Sequence, residues 1–396
     1  MALTTLGLAA PAANADDPVR SNEWPLDSHH FRADDIWALT RGAAVTVAVI
    51  DSGISAAHPD LTGQVLPGTS LLGDGGDGRT DTSGDSHGTA IAGIIAATGG
   101  PAPGNGMVGL APAAKVLPVR VTAGSQASSS AIAQGIVWAA DHGAQIINMS
   151  MGSPDPDPLL RQAVSYALGK DIVLVASAGN AGQSGNAPMY PAAFPGVVSV
   201  SGTDENGAFW APSESGHGIT LAAPATDLYS TNDQGQYVHA DGTSYAAAYV
   251  SAAAALVRSH EPHLTAGQVI RRLITTTSQH HNRPDPHLGY GELNPLAALT
   301  STADPGSSDN PLLHPDAAPP VTTTGHSTAL TIAAATLGAA VLGIAATVLL
   351  RRRRQPSTPP ATNTTAQSKR KQAPPKPRGG AASTPQPKKR SGNHPR

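Results

Sequence analysis

The sequence predicts an α/β fold in which a mostly parallel central sheet is covered by helices on both faces, giving a three-layer sandwich. Short β-branched runs alternate with longer helical patterns from Val45 to about Leu299. Some runs, such as Val45 to Ile50, contain hardly any polar residues, which is typical of strands buried on both faces. Repetition of strand, helix and strand in this order favours a parallel sheet.

The individual elements follow from these patterns in chain order. The predicted strands are 45–50, 116–121, 146–149, 172–176 and 197–200. The predicted helices are 87–97, 131–142, 159–168, 245–259 and 265–275. In such a fold, the carboxyl ends of strands and the N-termini of neighbouring helices gather along one edge of the sheet. Functional side chains are therefore expected at that edge.

Composition divides the chain into an acidic body and a basic tail. Residues 351–396 hold 13 of the 25 Lys and Arg residues and none of the 28 Asp and Glu residues. A split of this kind suggests two compartments or two partners. The chain has no Cys, which excludes disulfides and thiolate metal sites.

The N-terminal region carries an export pattern. Residues 1–15 are small and apolar and end in Ala13-Asn14-Ala15, which resembles the back half of a secretory signal peptide. Residues 16–43 then form a polar N-terminal extension, with Trp24, Phe31, Ile36 and Trp37 as candidate anchors on the domain. The predicted globular domain occupies residues 44–300.

The C-terminal region carries a membrane pattern. Residues 301–326 are rich in Pro, Ser and Thr and are predicted to be a linker. Residues 327–350 are 24 uncharged and mostly apolar residues, enough for one transmembrane helix. Four arginines, Arg351 to Arg354, follow directly, so the tail 351–396 is predicted to be cytoplasmic and disordered. The globular domain 44–300 would then lie outside the cell.

Three short segments carry residues suited to nucleophilic catalysis. Asp51 follows a buried strand, while His87 and Ser244 each open a small-residue helix. Taken singly, these are a turn, a loop and an N-cap. Together they supply what acyl transfer needs: a hydroxyl, an imidazole that takes its proton, and a carboxylate that orients the imidazole.

A fourth segment supplies a candidate oxyanion donor. Asn180 lies just beyond the strand 172–176, where its side-chain amide can donate to developing negative charge. The backbone N–H of Ser244, at the positive end of its helix, is the expected second donor.

These segments resemble the signatures of the subtilisin-like serine proteases. The matching residues are Asp51-Ser52-Gly53 with His58-Pro59-Asp60, His87-Gly88-Thr89, Ser177-Ala178-Gly179-Asn180 and Gly242-Thr243-Ser244. The order Asp, His, Ser is that of subtilisin. The resemblance implies a subtilisin-like three-layer sandwich and a serine endopeptidase activity. It also implies that Ser150, Met151, Gly152, Ala178 and Gly179 line the substrate cleft.

The plan of the whole chain resembles the mycosins, proteases associated with type VII secretion in actinobacteria. That resemblance implies peptide or protein substrates, a membrane location and secretion-complex membrane proteins as partners, with no role for nucleic acid. An alternative is a structural component of such a complex whose proteolysis is dispensable. One departure is the lack of Cys, because family members commonly carry disulfides.

Other patterns in the sequence indicate no cofactor. Gly104 to Gly109 matches a dinucleotide pattern, but neither a strand nor a helix flanks it. The pairs His29-His30 and His280-His281 lack further metal ligands. A structural Ca²⁺ is conceivable in the Gly-rich loop that contains Asp74, Asp77, Asp81 and Asp85, although these residues lack EF-hand spacing. No metal ligand is assigned.

Overall fold

The computed structural model describes residues 19–313, apart from 102–104, 125 and 217. In chain order the helices and strands are α1 (Ala33–Leu39), β1 (Thr46–Asp51), β2 (Thr69–Ser70), α2 (His87–Ala96), β3 (Lys115–Arg120), α3 (Ser129–Asp141), β4 (Ile146–Met149), α4 (Pro158–Leu168), β5 (Val173–Ser177), β6 (Val198–Thr203), β7 (Leu221–Pro224), β8 (Leu228–Thr231), β9 (Tyr237–Ala240), α5 (Thr243–His260), α6 (Ala266–Thr275) and α7 (Pro295–Thr300). The signal peptide, the transmembrane helix and the basic tail predicted above lie outside the described residues. Between residues 19 and 313, no helix is both long and apolar enough to cross a bilayer.

The central sheet of the described chain has seven strands in the order β2-β3-β1-β4-β5-β6-β7. Every pairing in it is parallel. Strand β1 lies between β3 and β4, with Val47 opposite both Val116 and Ile146. The prediction of a mostly parallel sheet is confirmed, and the carboxyl ends of β1, β4 and β5 meet at one edge.

The apolar runs of the sequence arise because the sheet is buried on both faces. Along β1, Val47 and Val49 belong to one core, which includes side chains of α2 and α5. Ala48 and Ile50 point the other way, into a second core built with α3 and α4. Successive side chains of a strand face opposite sides, so a doubly covered strand must be apolar throughout.

The described part of the N-terminal extension packs on the domain. Ile36 is fully buried. Trp24 donates from Nε1 to the carbonyl of Thr226 at 3.0 Å, and Trp37 donates from Nε1 to the carbonyl of Leu110 at 2.9 Å. Both tryptophans are half-buried, and these bonds, made across the fold, anchor the extension in a fixed place.

Residues 301–313, within the segment predicted as a linker, also contact the domain. Gln268 of α6 donates from Nε2 to the carbonyl of Gly306 at 2.9 Å. Asn310 donates from Nδ2 to the carbonyl of Gly196 at 2.8 Å. These bonds hold this part of the segment against α6 and against the turn before β6.

Candidate active site

Asp51 ends β1 at the edge where the parallel strands terminate. Its side chain is 1% exposed, and the backbone N–H of Ser52 donates to its Oδ1 at 2.8 Å. A buried carboxylate needs such donors to stay charged. Asp51 therefore presents a fixed negative charge to whatever lies above the strand end.

His87 lies directly above that charge, as the first residue of α2. Its Nδ1 is 2.9 Å from Oδ1 and 3.0 Å from Oδ2 of Asp51. A carboxylate can only accept, so Nδ1 carries the proton and Nε2 is left as the basic nitrogen. Burial lowers the pKa of His87, but the nearby carboxylates of Asp51, Asp85 and Asp81 outweigh it and raise the pKa above its usual value.

Buried polar side chains hold the start of α2 in place. Asp81 accepts from the backbone N–H and the hydroxyl of Thr89 at 3.0 and 2.7 Å, and from the hydroxyl of Ser52 at 3.0 Å. The hydroxyl of Ser52 in turn accepts from the N–H of Gly88 at 3.1 Å. Asp81 thus ties the turn after Asp51 to the helix that carries His87.

A second clamp acts on the residue before His87. Ser86 adopts a left-handed backbone conformation with φ of 59°, which is unusual for a residue other than glycine. Its hydroxyl donates to Asp233 Oδ1 at 2.7 Å and accepts from the Asp233 N–H at 3.1 Å. Asp233 lies in the turn of the β8–β9 hairpin, which the sequence patterns did not predict.

Ser244 lies in the first turn of α5, where backbone N–H groups lack intrahelical acceptors. Its hydroxyl donates to the carbonyl of Ser150 at 2.9 Å, and the Ser150 hydroxyl donates to the carbonyl of Ser244 at 2.9 Å. These reciprocal bonds fix the start of α5 to the end of β4. Within the described chain, the hydroxyl of Ser244 bonds to this carbonyl, not to the imidazole of His87.

His87 and Ser244 nevertheless line one cleft with a volume of about 460 Å³. Four of the five residues expected to line the substrate cleft also face it, namely Ser150, Met151, Gly152 and Gly179. Ala178 is 3% exposed, and its backbone N–H donates to the carbonyl of Val200 at 2.9 Å. Ala178 therefore lies directly after β5, buried behind the cleft.

Asn180 has a side-chain orientation that its partners determine. Its Oδ1 accepts from the backbone N–H of Thr243 at 2.9 Å and from the Thr243 hydroxyl at 2.9 Å. Two donors on one atom identify it as the oxygen, so the amide nitrogen points elsewhere. The Thr243 hydroxyl also accepts from the N–H of Gly179 at 3.1 Å. Asn180 lines the same cleft, with Nδ2 left free of the Thr243 bonds.

A buried polar network behind the cleft was missed by sequence reasoning. Asn148 donates from Nδ2 to the Ser150 hydroxyl at 2.8 Å and accepts from the Ser251 hydroxyl at 2.9 Å. The available signal was one polar residue in the apolar run Ile146 to Met149. The burial of the Asn148 amide is tolerated because both its nitrogen and its oxygen have hydrogen-bond partners.

The acidic loop does not gather its carboxylates around a common point. Asp74 accepts from Arg120 at 3.0 Å, and Asp81 is occupied as described above. Across the described ranges, no group of three or more His, Asp or Glu side chains is arranged to hold a metal ion.

Comparison with known proteins places this geometry among proteases. The model of the subtilase family, peptidase S8, matches residues 42–291. Subtilisin DY of Bacillus licheniformis is 39% identical over 63% of this chain and 89% of its own length. Thermitase of Thermoactinomyces vulgaris is 35% identical over 68% of this chain and 93% of its own length.

Solved structures similar to this chain include two mycosins. MycP1 from Mycobacterium smegmatis has a TM-score of 0.64 and 29% identity, covering 76% of this chain and 91% of that one. The MycP3 protease of the ESX-3 type VII secretion system has a TM-score of 0.59 and 33% identity, covering 68% of this chain and 86% of that one.

Proposed function

The chain belongs to the subtilase family of serine peptidases, and from that premise we propose that Asp51, His87 and Ser244 are its catalytic triad. The observation that carries the proposal is the imidazole of His87, held by both oxygens of Asp51 in the cleft that Ser244 also lines. A Ser hydroxyl is a weak nucleophile until a base takes its proton. The geometry supplies that base with its orienting carboxylate.

The first half of the reaction forms an acyl-enzyme. The Ser244 hydroxyl leaves the Ser150 carbonyl by rotation about its Cα–Cβ bond, between staggered positions that serine adopts readily. His87 Nε2 takes the hydroxyl proton while Oγ attacks the scissile carbonyl carbon. His87 then gives the proton to the leaving amine as the C–N bond breaks. Asp51 keeps its charge throughout and stabilises the imidazolium.

The negative charge of the tetrahedral intermediate falls on the former carbonyl oxygen. Asn180 Nδ2 and the Ser244 backbone N–H are the proposed donors to it. The two bonds from Thr243 to Asn180 Oδ1 support this role, because they fix the amide before substrate arrives. Preorganised donors of this kind cost no reorganisation during the reaction. Water then attacks the acyl-enzyme, with His87 again as the base.

The proposed substrates are extended segments of polypeptide. The cleft is open along Ser150 to Gly152 on one side and Gly179 to Asn180 on the other. A peptide in extended form can pair its backbone with such strand ends. We assign Met151 and Gly179 to the pocket that receives the side chain before the scissile bond.

Hydrolysis of a fluorogenic peptide library tests this function directly. Wild-type protein is expected to cleave internal peptide bonds, and Ser244→Ala is expected to lose at least about 10³-fold in rate. Ser165→Ala, which removes an exposed hydroxyl on α4, is the matched control and should retain full activity. Equal cleavage by wild type and Ser244→Ala would overturn the assignment.

The proposed setting is the membrane, as part of type VII secretion. One MycP1 structure is described as that of an essential component of the ESX-1 system, and this chain is similar to it.

The uncharged segment 327–350 and the arginines after it support a single membrane anchor, with the catalytic domain outside the cell. Deleting residues 327–350 should release the protein from alkali-washed membranes. Retention of the shortened protein would contradict the anchor.

A structural role in the secretion complex is the second candidate, favoured by the same likeness to MycP1. The two roles separate in a strain that lacks the protein. Restoration of secretion by Ser244→Ala would show that the folded domain is sufficient. Failure of a stably expressed Ser244→Ala protein would show that proteolysis is required.

A further inference from the structure

A buried carboxyl group that the proposed mechanism does not use lies behind the cleft. Glu214 belongs to the connection between β6 and β7, and it is 4% exposed. Its backbone N–H donates to the carbonyl of Gly179 at 2.9 Å. A second bond, from the N–H of Gly182 to the carbonyl of Pro212 at 2.9 Å, joins the same two segments. Residues 212–214 therefore bind, through backbone hydrogen bonds, the segment that carries Asn180.

The carboxyl group of Glu214 lies directly against Gly179. A methyl group built on Gly179 would stand 2.7 Å from Cδ of Glu214, and 2.8 and 2.9 Å from its two oxygens. Gly179 also has a φ of +116°, which only glycine adopts readily. The missing side chain of Gly179 is what allows the carboxyl group to touch the backbone of the cleft wall.

The segments around the carboxyl group of Glu214 hold no cation that could compensate its negative charge. Residues 179–186 and 211–215 contain no charged or titratable residue other than Glu214, and Thr243 of α5 contributes a hydroxyl that accepts from the N–H of Gly179. Burial raises the pKa of Glu214 to about 7, against the smaller opposing effect of the Ala181 N–H. Among the described residues, no cation contributes to the pKa of Glu214. The neutral acid therefore fits this position, and the carboxylate does not.

We infer that Glu214 is a positioning residue of the peptidase: as the neutral acid it supports Gly179 and Asn180, and its ionisation disables them. The inference rests on the proposed function. A carboxylate formed here must gain solvation by moving, and the segment that moves with it holds the oxyanion donor. Displacement of a catalytic group by about 1 Å can cost 10²-fold in rate. Activity should thus fall as the pH rises above neutrality.

The test compares the pH dependence of kcat/KM for wild type and Glu214→Gln, with a fluorogenic peptide as substrate. Glutamine has the shape of the neutral acid and cannot ionise. Both proteins share the rise in activity that follows deprotonation of His87, so the ratio of variant to wild type isolates Glu214. That ratio should be near one at pH 6 and about tenfold higher at pH 8, one unit above the pKa of Glu214.

Two controls make the result decisive. Glu292→Gln removes another buried carboxyl whose pKa is raised by burial, but which bonds to Thr203 away from the cleft, so its ratio should not change with pH. Titration of active sites with a fluorophosphonate restricts each rate to folded, competent enzyme. If Glu214→Gln folds poorly, wild type alone remains informative above the pKa of His87, where its activity must fall as the pH rises.

The outcomes separate this inference from the function on which it rests. A ratio that stays constant with pH, or a wild-type profile that stays flat above the pKa of His87, overturns the role of Glu214 and leaves the peptidase intact. Absence of any hydrolysis that depends on Ser244 overturns both.

Discussion

At the scale of single residues, the chemistry of the site depends on charges that the chain places around one imidazole. Asp51 is in contact with His87, whereas Asp85 and Asp81 act on it through space. Each carboxylate favours the protonated imidazole, which is inactive as a base. The raised pKa of His87 therefore predicts that activity appears at a higher pH than an isolated histidine would allow.

Replacing Asp85 should reverse part of this effect. Asp85→Asn keeps an acceptor for the His87 backbone N–H but removes a charge that raises the pKa of His87. The acid side of the kcat/KM profile should move to lower pH. Asp77→Asn, in the same loop but paired with Arg79, should leave the profile in place. A shift to higher pH in Asp85→Asn would contradict this account of His87.

Asn180 should affect turnover far more than substrate binding. Asn180→Ala removes the proposed donor to the oxyanion and is expected to lower kcat by about 10²–10³ with a small change in KM. Gln183→Ala, an exposed amide in the same loop, should match wild type. Steady-state kinetics on one peptide give both constants. A variant in which KM rises and kcat stays unchanged would show that Asn180 acts in substrate binding instead.

At the scale of elements, the sequence was informative wherever local pattern and burial agree. The predicted strand 146–149 and helix 265–275 match β4 and α6 to within a residue. The sequence predicts that α5 starts at residue 245, whereas the helix begins at Thr243. The reason is a contact across the fold, since the side chain of Asn180 caps Thr243. No local pattern could reveal that.

The hairpin of β8 and β9 was missed for a similar reason. Its strands are short, and β9 is partly exposed, so neither has a strong periodic signal. Its importance lies in Asp233, which fixes the strained Ser86 before His87. Likewise no sequence pattern indicated a role for Glu214, because that role depends on a contact with Gly179 that only the fold creates.

Helix α6 offers a test of element stability without any effect on the site. Thr265 and Gln268 form reciprocal capping bonds, each side chain accepting from the backbone N–H of the other. Thr265→Ala should lower the free energy of unfolding by about 1 kcal/mol. Thr275→Ala, at the exposed end of the same helix, should change it by less than about 0.5 kcal/mol. Urea unfolding measures both, and equal losses would contradict the capping role.

At the scale of the whole molecule, the buried acid behind the cleft links stability to pH. The pKa of Glu214 in the folded protein, about 7, exceeds its ordinary value of 4.5. A carboxyl with a raised pKa favours folding fully below its unfolded pKa, and that contribution is lost as pH rises through the folded pKa. The contribution of Glu214 to the stability of wild type should therefore be lost between about pH 4.5 and pH 7.

Glu214→Gln should not show this loss of stability, because glutamine does not ionise. At pH 8 the variant is expected to be more stable than wild type, whereas at pH 4 the two should be alike. Denaturant unfolding at both pH values measures the difference. A variant that is less stable than wild type at pH 8 would show that the carboxylate is well accommodated.

The organisation of the molecule brings the residues of the cleft together at one edge of the sheet. Strands β1, β4 and β5 end there beside the starts of α2 and α5, so residues far apart in the chain share one cleft. The extension anchored by Trp24 and Trp37 completes the domain beyond the region that the sequence signatures cover.

Mapping the residue that a fluorophosphonate modifies tests the central claim most directly. The reagent should phosphonylate Ser244 alone, found by mass spectrometry of the digested protein, and Asp51→Asn should slow the reaction because the imidazole loses its orientation. A modified residue elsewhere, or an unmodified Ser244 in folded wild-type protein, would contradict the triad.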